Sequence, residues 1–290
     1  ASERSAGKTY EEAVGGRWKM TTPIPESVKK IVVMNVNDVE HVASTVDFVF
    51  SAVDMSKEEI KAIEEAYAKT ETPVGTERGF IAVKPNCSIQ CYVPILNAWQ
   101  EFEPYEVVAT TYQAISGAGK TFADWPEMVE NIIPYIGGEE AKSEDEPLKI
   151  WGHIENGKIV RAESPKITCQ CVRVPVLDGH TAAVFVKFKK KPTKEQLIKA
   201  AENYRGYPQE HNLPSAPKQF IKYFEEDNRP QAKIDCGYEN GMGVTAGRIR
   251  EDSIYDFKFI GLAHNTVRGA AGGAILCAEA LTDKGYITAK

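Results

Sequence analysis

What constrains this chain most is the long alternation of apolar and polar residues in its middle. In His180–Phe188, the residues His180, Ala182, Val184, Val186 and Phe188 fall on one face at period two, the mark of a strand with one side buried. Val107–Gln113 and Ile167–Val174 read as strands of the same kind, and along the second Ile167, Cys169, Cys171 and Arg173 share a face. Asp178-Gly179 predicts a turn that reverses the chain, so that Ile167–Val174 and His180–Phe188 pair. Helical stretches are expected around Ala123–Ile133 and Glu139–Ile154, and at Thr193–Tyr204, where Thr193 and Gln196 form a capping box. Two late strands, Gly243–Arg250 and Tyr255–Ala263, precede a small-residue run from Asn265 to Ala274. A final helix ends near Lys284-Gly285.

The N-terminal region has another rhythm. Ile31–Met34, Val46–Ser51 and Gly79–Val83 read as short buried strands. Ser56–Thr70 reads as a helix with Ser56 and Glu59 as its capping box. This β-α-β order predicts a parallel sheet with crossover helices. Two features depart from a complete doubly wound domain. No strand and no G-x-G-x-x-G turn precedes the polar opening, and Thr72–Thr76 joins two extended segments almost directly. Parallel neighbours need about a dozen connecting residues.

Composition narrows the function classes. A net charge of −6, with basic residues gathered only at Lys187 and Lys189–Lys191, gives no footprint for nucleic acid. No apolar run reaches the roughly 18 residues of a membrane span, and the opening residues have no signal-peptide core, so a cytoplasmic location is expected. The six cysteines form no zinc-type pair of C-x-x-C units. They are expected to be reduced thiols, and no metal site is expected.

Among those thiols Cys87 stands apart. In Pro85-Asn86-Cys87-Ser88 it follows a strand and opens a helix carrying Tyr92, Ile95, Leu96 and Trp99. Free N–H groups there favour a thiolate and hence a covalent nucleophile, a weak signal set against the ordinary reading of a buried, inert thiol. Arg173 ends an otherwise apolar face and needs an anionic partner, either a structural carboxylate or a substrate. His180 reads as a core histidine or as a general acid/base. Glu139 and Lys142, three apart, read as a solvated helix face. Ser116-Gly117-Ala118-Gly119 and the glycines Gly269, Gly272 and Gly273 permit close backbone approach without saying to what.

Taken in order, these segments resemble the aspartate-semialdehyde dehydrogenase family in its archaeal and fungal branch. The resemblance rests on Ala1–Lys8, Pro85–Ser88, Gln113–Gly119, Arg173 followed by His180, and His264–Gly272. It implies an α/β fold, with a Rossmann-type NADP-binding domain over 1–86 completed by the C-terminal segment 265–290. An α+β catalytic and dimerisation domain with a mixed sheet would span 87–264. It implies reduction of L-aspartyl-4-phosphate by NADPH to L-aspartate 4-semialdehyde, a step towards lysine, threonine and methionine. Cys87 would be the nucleophile, His180 the acid/base and Gln113 the residue that orients the acyl intermediate. Arg173 would bind the substrate carboxylate and Glu139 its amine, with Lys142 and Asn86 at the phosphate. Ser2, Arg4, Ser5, Ser51, Ser116, Gly117 and Asn265 would meet NADP, and a homodimer or homotetramer is implied. The family's glycine-rich turn and a segment between Val74 and Gly75 have no counterpart here. The Rossmann-type domain is therefore expected to be incomplete, with Val74–Gly75 joining pieces of a longer chain. Malonyl-CoA or succinyl-CoA reductases share the cysteine, glutamine, arginine and histidine. A relative that has lost its nucleotide site and a Cys-His hydrolase are the readings from other classes.

Overall fold

His180–Phe188 is a strand over the span its alternation predicts, with every second residue from His180 to Phe188 buried. It is the axis of a six-stranded sheet in the computed structural model. That model describes residues 80–285 apart from 156 and 157, residue 287, and the short stretches 8–9, 32–33 and 48–51; side chains are described from Lys84 onward, 154–159 excepted. The expected helix Ser56–Thr70, the Val74–Gly75 junction, and Ser2, Arg4 and Ser5 lie outside the described residues. The chain divides into two compact units, Ala1–Val49 with Met55–Ile81, and Phe50–Asp54 with Ala82–Lys290. Towards the N-terminus, β1 (Lys8–Thr9) pairs antiparallel with β2 (Val32–Val33), and β3 (Phe48–Ser51) pairs with β4 (Phe80–Val83). Ser51 ends β3.

The strands of the large sheet are β5 (Pro104–Gln113), β8 (Lys166–Arg173), β9 (His180–Phe188), β10 (Ile221–Phe224), β11 (Val244–Glu251) and β12 (Phe257–Ala263); a separate hairpin holds β6 (His153–Glu155) and β7 (Lys158–Val160). Their order across the sheet is β10-β11-β12-β9-β5-β8. The sheet is mixed, with β10–β11 and β5–β8 parallel and the other pairs antiparallel. One expectation fails here. β8 and β9 do not pair across the Asp178-Gly179 turn, because β5 lies between them, parallel to one and antiparallel to the other. The expected helix at Ala123–Ile133 is also absent, replaced by a single 3-10 turn at Pro126–Met128. The stretch carries Trp125-Pro126, and a residue before proline is pushed out of helical geometry.

Helices cover one face of the sheet. They are α1 (Val93–Ala98), α2 (Glu139–Ile150) and α3 (Lys194–Glu202), the last with the expected Thr193–Gln196 capping box. The predicted helix to Ile154 stops at Ile150, and β6 follows. Trp99, fully buried at the end of α1, packs edge-on against Phe259 at 4.9 Å and Phe188 at 6.0 Å. Its indole N–H donates to the Leu197 carbonyl at 2.9 Å, which ties α1 to α3.

Two local features hold the segment after Cys87 against this core. Pro147 lies inside α2 and has no N–H for the carbonyl of Ser143 four residues back. That carbonyl accepts instead from the buried Tyr92 hydroxyl at 2.8 Å. On β12, Gly261 lets the 3-10 turn Ser88–Cys91 lie flat on the strand. A β-carbon at position 261 would stand 2.0 Å from the Cys91 carbonyl oxygen.

Two short helices, α4 (Tyr207–Glu210) and α5 (Ala232–Asp235), and the longer α6 (Gly272–Asp283) follow. A π-helical turn at Val267–Ala271 leads into α6. No helix among the described residues is long and apolar enough to cross a membrane.

Candidate active site

Asn86 shapes the turn that presents Cys87. Its side-chain oxygen accepts from the backbone N–H groups of Ser88 at 2.8 Å and Ile89 at 3.2 Å, and from the Ser88 hydroxyl at 2.6 Å. Such a cap satisfies donors that the first turn leaves unpaired. Cys87 is thereby held with its Sγ 3.4 Å from Nε2 of His180, the first residue of β9.

The imidazole is held from its other side by backbone. The Ala114 N–H donates to His180 Nδ1 at 3.0 Å. A backbone N–H can only donate, so Nδ1 is the acceptor and the proton of the neutral ring sits on Nε2, facing the sulfur. Burial, then the nearby Arg173 and His264, lower the pKa of this histidine to about 3. Protonating Nδ1 would set it against the Ala114 N–H.

Arg173 ends β8 and is buried, and its Nη1 donates to the Ala114 carbonyl at 2.7 Å. Ala114 thus bridges the two residues whose strands do not pair. Gly117 packs into the corner they make, where a β-carbon would stand 3.0 Å from His180 Nε2 and 3.1 Å from Arg173 Nη1. Gln113 donates to Thr111 Oγ1 at 3.2 Å and to Glu139 Oε2 at 3.4 Å. Glu139 pairs in turn with Lys142 at 3.6 Å, its side chain only 15% exposed against 40% for the lysine. The pair is therefore not a wholly solvated helix face. Asn265 is buried, accepts from the Gly179 N–H at 2.8 Å and donates to the Ser116 hydroxyl at 2.8 Å. The described residues named from sequence, Asn86, Cys87, Gln113, Ser116, Gly117, Glu139, Lys142, Arg173, His180 and Asn265, belong to one compact unit. Among the described residues no His, Cys, Asp or Glu cluster could hold a metal ion.

The thiol of Cys87 is pushed up to about 11, by burial first and then by Glu139, against the pull of Lys84, a backbone hydrogen bond and Arg173. The neighbouring Cys91 is fully buried and donates to the Ser88 carbonyl at 2.9 Å, as a packing residue.

A family model described as the semialdehyde dehydrogenase dimerisation domain matches residues 94–268. The aspartate-semialdehyde dehydrogenase of Schizosaccharomyces pombe is 38% identical, over 99% of this chain and 90% of its own. That of Methanothermobacter thermautotrophicus is 33% identical, over 98% and 90%. The chain belongs to the aspartate-semialdehyde dehydrogenase family. The crystal structure of the Candida albicans aspartate-semialdehyde dehydrogenase with NADP superposes with a TM-score of 0.72 at 34% identity, covering 99% of this chain and 90% of that one.

Sequence reasoning passed over two ionisable residues near Cys87 in this family member, Lys84 and Glu146. Glu146 is fully buried on α2, on the same face as Glu139 seven residues earlier, and its Oε2 accepts from the Asn86 N–H at 2.7 Å. That spacing is the signal that would have found it. Burial raises its carboxyl to about 7, against the pull of Asn86, with Glu139 adding to the rise. The sign follows from linkage. With the folded value above the usual 4.5, this contribution to stability is fully present below about 4.5 and is lost as pH rises through about 7. Glu146→Gln keeps an acceptor for Asn86 and removes the ionisation. Its melting temperature relative to the parent is expected to rise between about pH 5 and pH 8. His180 contributes an opposite slope in both proteins, and it cancels in the difference. A flat difference would mean that the carboxyl is ionised across that range.

Proposed function

We propose that the chain reduces L-aspartyl-4-phosphate to L-aspartate 4-semialdehyde, NADPH-dependently and with release of phosphate, in the synthesis of lysine, threonine and methionine. The observation that carries this reading is the Cys87–His180 contact, backed by the Ala114 hydrogen bonds that also hold Arg173.

Arg173 grips the substrate's α-carboxylate with the guanidinium donors not spent on Ala114, and Glu139 faces the ammonium. The Cys87 thiolate attacks the acyl carbon; a C–S bond forms, the C–O bond to phosphate breaks, and phosphate leaves near Lys142. Gln113, fixed by Thr111 and Glu139, orients the acyl group. Asn86 acts through its cap on the turn that presents Cys87. The His180 Nε2–H donates to the sulfur and to the oxygen on which negative charge gathers, an oxyanion-type role that needs no proton on Nδ1. NADPH, when bound, supplies the hydride that reduces the thioester carbon. The C–S bond then breaks, which frees the aldehyde and restores the thiolate.

The residues present fit that cofactor. A β-carbon would fill the corner Gly117 leaves open beside His180 and Arg173, and the Asn265–Ser116 pair adds amide and hydroxyl groups for a nicotinamide. Ser2, Arg4, Ser5 and Ser51 are assigned to the rest of NADP. Residues 1–86 with 265–290 form the nucleotide domain in this reading, and 87–264 the catalytic and dimerisation domain. The match to a dimerisation-domain model supports a homodimer or homotetramer, which we place in the cytoplasm.

The test runs the reaction backwards. NADP reduction by aspartate semialdehyde is expected to require phosphate and to exceed oxidation of NADPH with malonyl-CoA. Reduction indifferent to phosphate, or faster turnover of the CoA thioester, would overturn the assignment.

A further inference from the structure

The half-buried thiol of Cys87 ionises more readily beside a counter-charge, and the backbone around it holds one. Lys84 lies three residues before Cys87. Its Nζ donates to the carbonyl oxygens of Pro85 and Gly269, two neutral acceptors that leave its charge uncancelled. Gly269 in turn packs directly on the nucleophile, where a β-carbon would stand 2.7 Å from Cys87 Cβ. The stem of Lys84 runs along the start of α6, 3.1 Å from where a Gly273 β-carbon would be. The lysine is thus fixed to the same short stretch of backbone that packs on the Cβ of Cys87.

We propose that Lys84 is a positioning residue whose ammonium, anchored on Pro85 and Gly269, favours ionisation of Cys87 in the free enzyme and through substrate binding, against the burial that opposes it. Arg173 cannot serve this role throughout. In the function proposed above its charge is matched by the substrate carboxylate as soon as the substrate enters. No substrate group is assigned to Lys84, so substrate entry leaves its charge facing the site, and the proton lost from the thiol goes to solvent, since His180 Nδ1 is occupied.

The charged groups acting on Cys87 are Glu139, which opposes ionisation, and Lys84 and Arg173, which favour it, with Lys84 the stronger of the two. Those acting on Lys84 are Cys87, Glu146, Arg268 and Cys277. Burial lowers the lysine's own pKa, and Cys87 is the first of the groups that raise it, as a mutually stabilising pair requires.

The inference rests on Cys87 as nucleophile, and its test reads the thiol without turnover, so it can fail separately from the reaction. The rate of iodoacetamide alkylation at Cys87 is followed against pH, with Cys87→Ser to subtract the other thiols. In Lys84→Met the half-point is expected to move up by about one pH unit or more, so that alkylation near neutral pH falls about tenfold. Lys84→Arg keeps the parental profile. kcat falls in the methionine variant with little change in KM. A Lys84→Met profile that superimposes on the parent, in protein folded by circular dichroism, would overturn the proposal. If Lys84→Met does not fold, Lys84→Gln is set against Lys84→Arg. Equal profiles for those two would overturn it as well.

Discussion

Cys87→Ser is expected to lower kcat/KM by on the order of 10⁴-fold or more, with stability within about 0.5 kcal/mol of the parent. The size of the loss follows from the site. A serine hydroxyl needs a base, and the imidazole that touches it carries its proton on Nε2 because Nδ1 accepts from Ala114. Burial, which already pushes the thiol up to about 11, would hold a hydroxyl still further from ionisation. The fold should not notice the exchange. Cys87 stands at the start of the Ser88–Cys91 turn without a side-chain cap bond, and the cap is made by Asn86. kcat/KM and the thermal midpoint measured on one preparation decide the matter. Retention of more than about 1% of parental activity would remove Cys87 from the nucleophile's role.

How far the site could be read beforehand differs residue by residue. The strand His180–Phe188, its buried face and the Thr193–Gln196 capping box were legible because their cause is local. Period-two burial and a reciprocal hydrogen-bond pair are written in adjacent residues. Cys87 was legible as a candidate, and the family resemblance brought it together with Gln113, Arg173 and His180. The order of the strands was not legible. The partner that separates β8 from β9 comes from more than fifty residues earlier, and no turn signal announces it. Gly261 was equally silent, because the carbonyl that forbids its side chain belongs to Cys91, on a different element. Lys84 and Glu146 were missed for the same kind of reason. A lysine ending a strand and a glutamate in a charged helix read as solvated until the fold closes over them. Side-chain chemistry could be read from the sequence, whereas its electrostatic setting depended on tertiary contacts.

The role of His180 yields the second large effect, and it separates two mechanisms. His180→Asn is expected to lower kcat by about 10²- to 10⁴-fold. His180→Gln should be milder by about tenfold, because the longer amide can place an N–H near the position of Nε2, whereas asparagine reaches only the Nδ1 position. An obligatory proton acceptor would make the two variants equally poor, since neither amide titrates. The pH profile supplies an independent check. With the imidazole held at about 3 by burial and by Arg173, it stays neutral throughout the ordinary working range. The parent should therefore show no acidic limb near the usual histidine value of about 6.5, only the rise set by thiol ionisation. An acidic limb there, present in the parent and absent in His180→Gln, would give His180 back the role of general base. It would also require the Ala114 hydrogen bond to break during turnover. Without that limb, His180 is a fixed donor, and the charge balance at Cys87 rests on the cations around it.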